Sequence, residues 1–232
     1  PAPFTSFLAP SAAFIQRPEP FRNRKAMLDI GAAGPLFGLV FAIPIVVIGL
    51  ATSPTGPVTP GGIVEGNSFI YALAKTIVFG RFLPSGGEDV YMNQLTQAGW
   101  AGLLVTALNL IPLGQLDGGH ILYALIGERA RRLYLPVIGL LAALIFISEF
   151  WLIWVVLLFL IGRFYAAPLD MITPLDSRRR SVALLALGLF VLTFVPTPLS
   201  IVPDSGLPLP RDTVFQLSVA VMIGFLWLRR RF

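Results

Sequence analysis

The 232 residues contain no cysteine, which excludes disulfides, a thiol nucleophile and cysteine metal ligands in any compartment. Charge is scarce as well. Asp, Glu, Lys and Arg make up 12% of the chain, against about 25% in an ordinary soluble domain. Hydrophobic residues make up 56%, and the mean hydropathy is +0.80. That balance is the balance of a membrane protein. Histidine occurs once, at position 120. Residues 1–20 lack the basic start and the apolar core of about 7 to 15 residues that mark a secretory leader. The first residue is Pro1 rather than methionine, and the expectation is an N-terminally truncated chain.

The charge that is present is clustered. The net charge of +5 comes from Arg22, Arg24 and Lys25, from Arg129, Arg131 and Arg132, from Arg178 to Arg180 and from Arg229 to Arg231, all lying between or after apolar runs. Cytoplasmic loops of membrane proteins carry this pattern, so a lipid bilayer is the expected partner and nucleic acid is not.

Residues 1–28 are rich in proline and phenylalanine, too interrupted for a helix, and read as a membrane-surface segment with a short strand at 12–16. Residues 31–51, just after Asp29, have the length of a first membrane span. They contain Gly34-x-x-x-Gly38, a spacing that lets helix backbones approach closely, along with Pro35 and Pro44. A turn-rich loop follows, with an interfacial or partly buried helix over residues 69–82 that carries Lys75 and Arg81. The second span covers residues 98–125, with Trp100 at the interface. Residues 133–147 and 150–161 are divided only by Ser148 and Glu149. A hairpin there keeps Arg163 and Arg178 to Arg180 on the side of Arg129 to Arg132, whereas one long helix would oppose them. Residues 163–180 repeat Pro-Leu-Asp at 168–170 and 174–176, the composition of turns or helix starts. Two last spans are expected at 181–195 and 213–228. The expected fold is thus an all-α polytopic membrane protein of about six transmembrane helices, with both termini cytoplasmic. Glu65, Glu88, Asp89, Glu128, Asp170, Asp176, Asp204 and Asp212 fall in loops and are expected to be solvated or capping.

One stretch departs from this scheme. Asn109-Leu-Ile-Pro-Leu-Gly-Gln-Leu-Asp117-Gly-Gly-His120 follows directly on an apolar run. An ionisable group at membrane depth marks a functional site by default. Pro112 cannot donate to a helical ladder, and Gly114, Gly118 and Gly119 ease irregular backbone, so the second span is expected to break between Asn109 and His120. Asp117 there suits a metal ligand, a proton carrier or a structural ion-pair partner. No lysine or arginine lies between Trp100 and Gly127 to serve the third role. Asp117 and His120 are three apart and can share a helix face, but two ligands make a weak metal site.

Asn109-x-x-Pro112-x-x-x-Leu116-Asp117-Gly118-Gly119-His120 resembles the Asn/Pro/Leu-Asp-Gly motif of the site-2 protease family of intramembrane zinc metalloproteases. Arg24-Lys-Ala-Met-Leu-Asp-Ile-Gly-Ala-Ala-Gly34-Pro35-Leu-Phe-Gly38 resembles the Ala-Gly-Pro helix of the same family, as does the opening Pro-Ala-Pro segment. The resemblance covers residues 1–126. It implies a Zn2+ cofactor, Asp117 as a metal ligand, Asn109 as a contact to substrate or oxyanion, and membrane proteins as substrates cut in or near their transmembrane segments. In that family two histidines of a His-Glu-x-x-His helix complete the zinc site. This chain has no such motif, and His120 is expected beside the site or facing headgroups rather than on the metal. The implied organisation is a single membrane-embedded peptidase domain over residues 1–232. Its parts are a surface segment (1–28), a core with the motif helices (29–126) and accessory helices (127–232), and it is inactive without an upstream zinc-binding helix. The alternatives are a catalytically dead pseudoprotease and an ion- or proton-coupled transporter.

Overall fold

The computed structural model describes residues 21–165 and 167–202. The first helix, α1 (Arg24–Ala51), begins ahead of the expected span because Asn23 caps it, its side chain accepting the Ala26 N–H at 2.9 Å. With 28 residues it is about 42 Å long, enough to cross about 30 Å of hydrocarbon with some to spare. Among the described residues it is the one helix whose length and composition suffice for a crossing. Phe37, Val40, Phe41 and Ile48 stand exposed along it, an arrangement that is unfavourable in water and suits acyl chains.

Small residues hold α1 against α3 (Gln94–Asn109) and α4 (Asp117–Ile126). A Cβ on Gly99 would lie 2.6 Å from the Val46 backbone nitrogen, and one on Gly49 would lie 2.5 Å from that of Thr96. Further along the seam, Gly102 abuts Ala42 and Gly38 abuts Thr106. The close approach expected of Gly34-x-x-x-Gly38 is therefore made within the chain, and it extends beyond that motif to Gly49 and Gly99. Glycine has little intrinsic preference for a helix interior, so its stabilising role here is the backbone contact it permits.

Between α1 and α3 lie β1 (Thr55–Pro57), β2 (Ile63–Glu65), α2 (Phe69–Phe79) and β3 (Glu88–Val90). The strands were not expected, since three residues are too few to show a period. β1 pairs antiparallel with β3, and β2 pairs antiparallel with β4 (Leu199–Ile201) after the last described helix. The acids of this region also correct the expectation of solvated loop carboxylates. Glu65 and Asp89 are each 6% exposed and lie 2.9 Å from Nζ of Lys75, which is fully buried on α2. A buried ammonium is tolerated only beside counter-charge, and these two acids supply it. Trp100, expected at the membrane interface, is buried and donates its indole N–H to the Gly66 carbonyl at 3.0 Å.

After α4, a short 3-10 helix (Gly127–Leu133) carries Arg129, Arg131 and Arg132. α5 (Tyr134–Leu144) and α6 (Phe150–Ile161) then form the expected hairpin. The Tyr134 hydroxyl at the start of one donates to the Phe159 carbonyl at the end of the other, at 2.9 Å. With 11 and 12 residues these helices are about 16 and 18 Å long, short of the hydrocarbon thickness. Both Pro-Leu-Asp repeats act as expected. Asp170 accepts the Ile172 and Thr173 N–H groups, and Asp176 caps α7 (Ser177–Thr193) by accepting the Arg179 N–H.

One end of the helices gathers the described arginine clusters. Arg24 donates to the carbonyls of Ala124 and Leu125, which close α4, and Arg179 pairs with Asp29. The Asp170 N–H donates to the Arg22 carbonyl. The strands and the Lys75 cluster lie at the other end, beyond the C-terminus of α1. The short strand expected at 12–16, the span at 213–228, the basic tail from Arg229, and Asp204 and Asp212 all lie outside the described residues.

Candidate functional site

The site is built at the break between α3 and α4. α3 stops at Asn109, and its last carbonyls turn inward: Leu108 accepts the Ile111 N–H at 3.3 Å, because Pro112, the residue that would continue the ladder, has no N–H to offer. Gly114 takes a φ of +55°, the left-handed region that glycine enters freely, and packs on the backbone of Gly162 at the end of α6. The chain then re-enters a helix at Asp117.

Gly118 and Gly119 play a different part from the one expected. They are regular helical residues in the first turn of α4, and the preceding loop folds back onto them. A Cβ on Gly118 would lie 2.0 Å from the Leu110 carbonyl oxygen, and one on Gly119 would lie 2.4 Å from that of Gly114. The pair therefore permits close approach rather than irregular backbone. Its effect is to bring the end of α3 and the start of α4 into contact, with Asn109 and Asp117 on either side of a tight loop.

Asp117 is half-buried, and its Oδ2 lies 3.3 Å from the point where a Cβ on Gly34 would stand. No described residue gives its carboxylate a hydrogen bond or an ion pair. The structural ion-pair reading thus lacks a partner elsewhere in the described fold as well as locally. Its place in the first turn of α4 sets its charge against the positive end of the helix. Asn109 is half-buried, and no described residue bonds its side-chain amide.

His120 lies one turn beyond Asp117 and is half-buried rather than facing out. Its ring meets Phe21 edge-on with centroids 5.1 Å apart, and its Nδ1 is buried without a hydrogen-bond partner among the described residues. Its Cβ stands against Gly31, as the Asp117 carboxylate stands against Gly34. Gly31 was missed in the sequence. The available signal was its spacing from Gly34, which equals the spacing of Asp117 to His120, so that one glycine faces each side chain.

An unpartnered carboxylate oxygen suits a hard or borderline metal ion, but a zinc site takes three or four ligands. The described residues contain no group of three or more histidines, cysteines, aspartates or glutamates able to hold a metal. No complete zinc ligand set is therefore present among the described residues.

The sequence profile described as Peptidase family M50 matches residues 3–148, which include α1, the α3–α4 break and α5. The probable zinc metalloprotease EGY2, chloroplastic, of Oryza sativa subsp. japonica is 34% identical over 184 residues, covering 76% of this chain and 33% of that protein. Its counterpart EGY2 in Arabidopsis thaliana is 34% identical over 182 residues, covering 76% and 32%. The probable zinc metalloprotease EGY1, chloroplastic, of Arabidopsis thaliana is 28% identical over 182 residues, covering 75% and 33%. The chain thus spans about a third of the length of these relatives. No solved structure matches it.

Proposed function

The chain belongs to peptidase family M50, the site-2 protease family that its two motifs resemble, and from that premise we propose that it is part of a zinc-dependent intramembrane metalloprotease. The observation that carries this reading is the meeting of the two motifs. Gly34 of the Gly-Pro helix leaves the space that the Asp117 carboxylate occupies, and that carboxylate has no competing partner among the described residues.

In this reading Asp117 offers one oxygen to zinc. With a single histidine in the sequence, the remaining ligands come from a His-Glu-x-x-His helix of the longer protein. Bound zinc would supply Lewis-acid activation of a water and of the scissile carbonyl. The residues described here do the positioning. The α3–α4 break holds Asp117 against α1, and Asn109 on the far side of the loop presents an amide donor to substrate backbone or to a developing oxyanion. Substrates are membrane proteins cut in or near their transmembrane segments. The arginine-bearing end of the helices is cytoplasmic, both termini lie on that side, and about six segments cross or enter the bilayer. Nucleic acid is not a partner.

The test compares residues 1–232 with a longer protein that includes such a helix. Residues 1–232 alone should purify without stoichiometric zinc and cleave nothing, since a single ligand cannot compete with ordinary chelators. The longer protein should hold about one zinc per chain, and Asp117→Ala should abolish zinc and cleavage together. Zinc retained undiminished in that variant would remove Asp117 from the metal. A longer protein that binds zinc but never cuts a membrane substrate would favour the pseudoprotease.

A further inference from the structure

The buried charges at the strand end of the molecule do not balance. Lys75 is one cation facing two carboxylates, Glu65 and Asp89, all three within the 6% exposure limit set by the acids. Asp89 Oδ1 accepts from both Lys75 Nζ at 2.9 Å and the Val90 N–H at 2.8 Å, and Glu65 Oε1 accepts from the Tyr71 hydroxyl at 2.9 Å. Asp89 Oδ2 is buried and has no hydrogen-bond partner among the described residues. An unpaired carboxylate oxygen in such a place is costly, and an unsatisfied group of this kind in an otherwise satisfied network calls for a missing partner.

A cavity of about 230 Å³ adjoins the cluster, lined by both acids. Its other walls include Pro57, Val58, Ile63 and Tyr91. The Tyr91 ring is held in place by its hydroxyl, which donates to the Pro57 carbonyl at 2.6 Å. At about 30 Å³ per water, that volume holds several waters, more than a bare metal ion needs. Aliphatic and aromatic walls around an anionic floor instead match a side chain that has a hydrocarbon stem and a cationic head.

We propose that this cavity receives the side chain of an arginine or lysine from another polypeptide, with Asp89 as its anionic contact. A guanidinium or ammonium head between the two acids would bring the cluster to charge balance, two cations against two carboxylates. The stem would lie along Val58 and Ile63. This site is at the opposite end of α1 from the arginine clusters, and it depends on neither zinc nor the protease reading.

The test titrates the purified chain, in detergent, with the blocked peptide acetyl-Gly-Gly-Arg-Gly-Gly-amide and with its citrulline counterpart, which has nearly the same shape but no charge. The arginine peptide should bind at least about tenfold more tightly, the equivalent of one hydrogen bond to a charged group. Asp89→Asn should erase that difference. Because Asp89 also holds Lys75, a second variant leaves the cluster intact: Thr59→Trp, at an exposed lining position, fills the cavity and should abolish binding of both peptides. Equal binding of the two peptides by the unaltered chain would overturn the proposal. So would arginine binding undiminished in Thr59→Trp.

Discussion

Arg179 on α7 grips Asp29 on α1 with two nitrogens, Nε at 2.9 Å from Oδ1 and Nη2 at 2.8 Å from Oδ2, across 150 positions of sequence. A third nitrogen, Nη1, holds Asp176, the cap of α7, at 3.0 Å. One guanidinium thus ties the start of the last described helix both to its own cap and to the helix that carries Gly34. The planar fork of arginine fits this arrangement, and lysine would lose it. Arg179→Lys and Arg179→Ala should each lower the thermal midpoint slightly, the alanine variant more. The difference from the unaltered protein should shrink at high salt because the pair is solvent-exposed. A salt-independent difference would mean that the side chain acts through packing.

The same anchor sets a pH dependence. The Arg179 hydrogen bond holds the Asp176 carboxyl below its ordinary value of 3.8, and the hydroxyl and backbone N–H of Thr173, with the N–H of Ile172, do the same for Asp170. A carboxyl with a depressed folded value contributes stability that is fully present above its ordinary value and is lost as pH falls through the folded value. The contribution of these two carboxyls should therefore be constant from pH 7 down to about 4 and then be lost with acid. Asp176→Asn should be less stable at neutral pH, and its acid slope should be shallower. An unchanged slope would show that Asp176 carries none of it.

The helix seam makes a contrasting pair of glycines. A Cβ on Gly99 meets Val46 backbone atoms at 2.6 and 2.9 Å, whereas one on Gly188 of α7 meets nothing within 4 Å. Gly99→Ala must push α1 from α3 and should cost about 1–3 kcal/mol, as overpacking does. Gly188→Ala should be neutral or stabilise by up to about 1 kcal/mol through helix preference alone. Chemical or thermal unfolding in detergent measures both. Equal effects would mean that the seam can relax.

These contrasts show which features could be read from the chain. The break at Asn109 to Asp117 was legible because Pro112 acts locally, on its own helix. The α5–α6 hairpin was legible from the placement of arginines. Asp170 and Asp176 as turn and cap residues followed from their local spacing. Gly118 and Gly119 were correctly singled out for a reason that proved wrong, since the carbonyls they accommodate, from Leu110 and Gly114, arrive only when the loop folds back. The Glu65–Lys75–Asp89 cluster was not legible at all. Its members lie in three elements, and the sole local hint was one lysine inside an otherwise apolar helix. The short strands pair across the chain, β2 with β4, and their register exists only in three dimensions.

Asn109 offers the sharpest test of the candidate site, because it sits within the motif yet bonds to no described residue. A structural amide would be expected to satisfy the loop it borders, but the N–H groups of Leu110, Ile111, Leu113 and Leu116 donate instead to the carbonyls of Thr106, Leu108, Ile111 and Leu113. The amide is left free for a group outside the described fold. If that group is substrate or an oxyanion, Asn109→Ala in the longer, zinc-loaded protein should cut turnover by about 100- to 1,000-fold, the loss typical of one such donor. Zinc content and thermal midpoint should stay unchanged, and Asn109→Asp, which keeps the shape but loses the donor, should be no better than alanine. Turnover near that of the unaltered protein would return Asn109 to the role of a helix-ending residue. A parallel loss of zinc would place its effect on Asp117 instead.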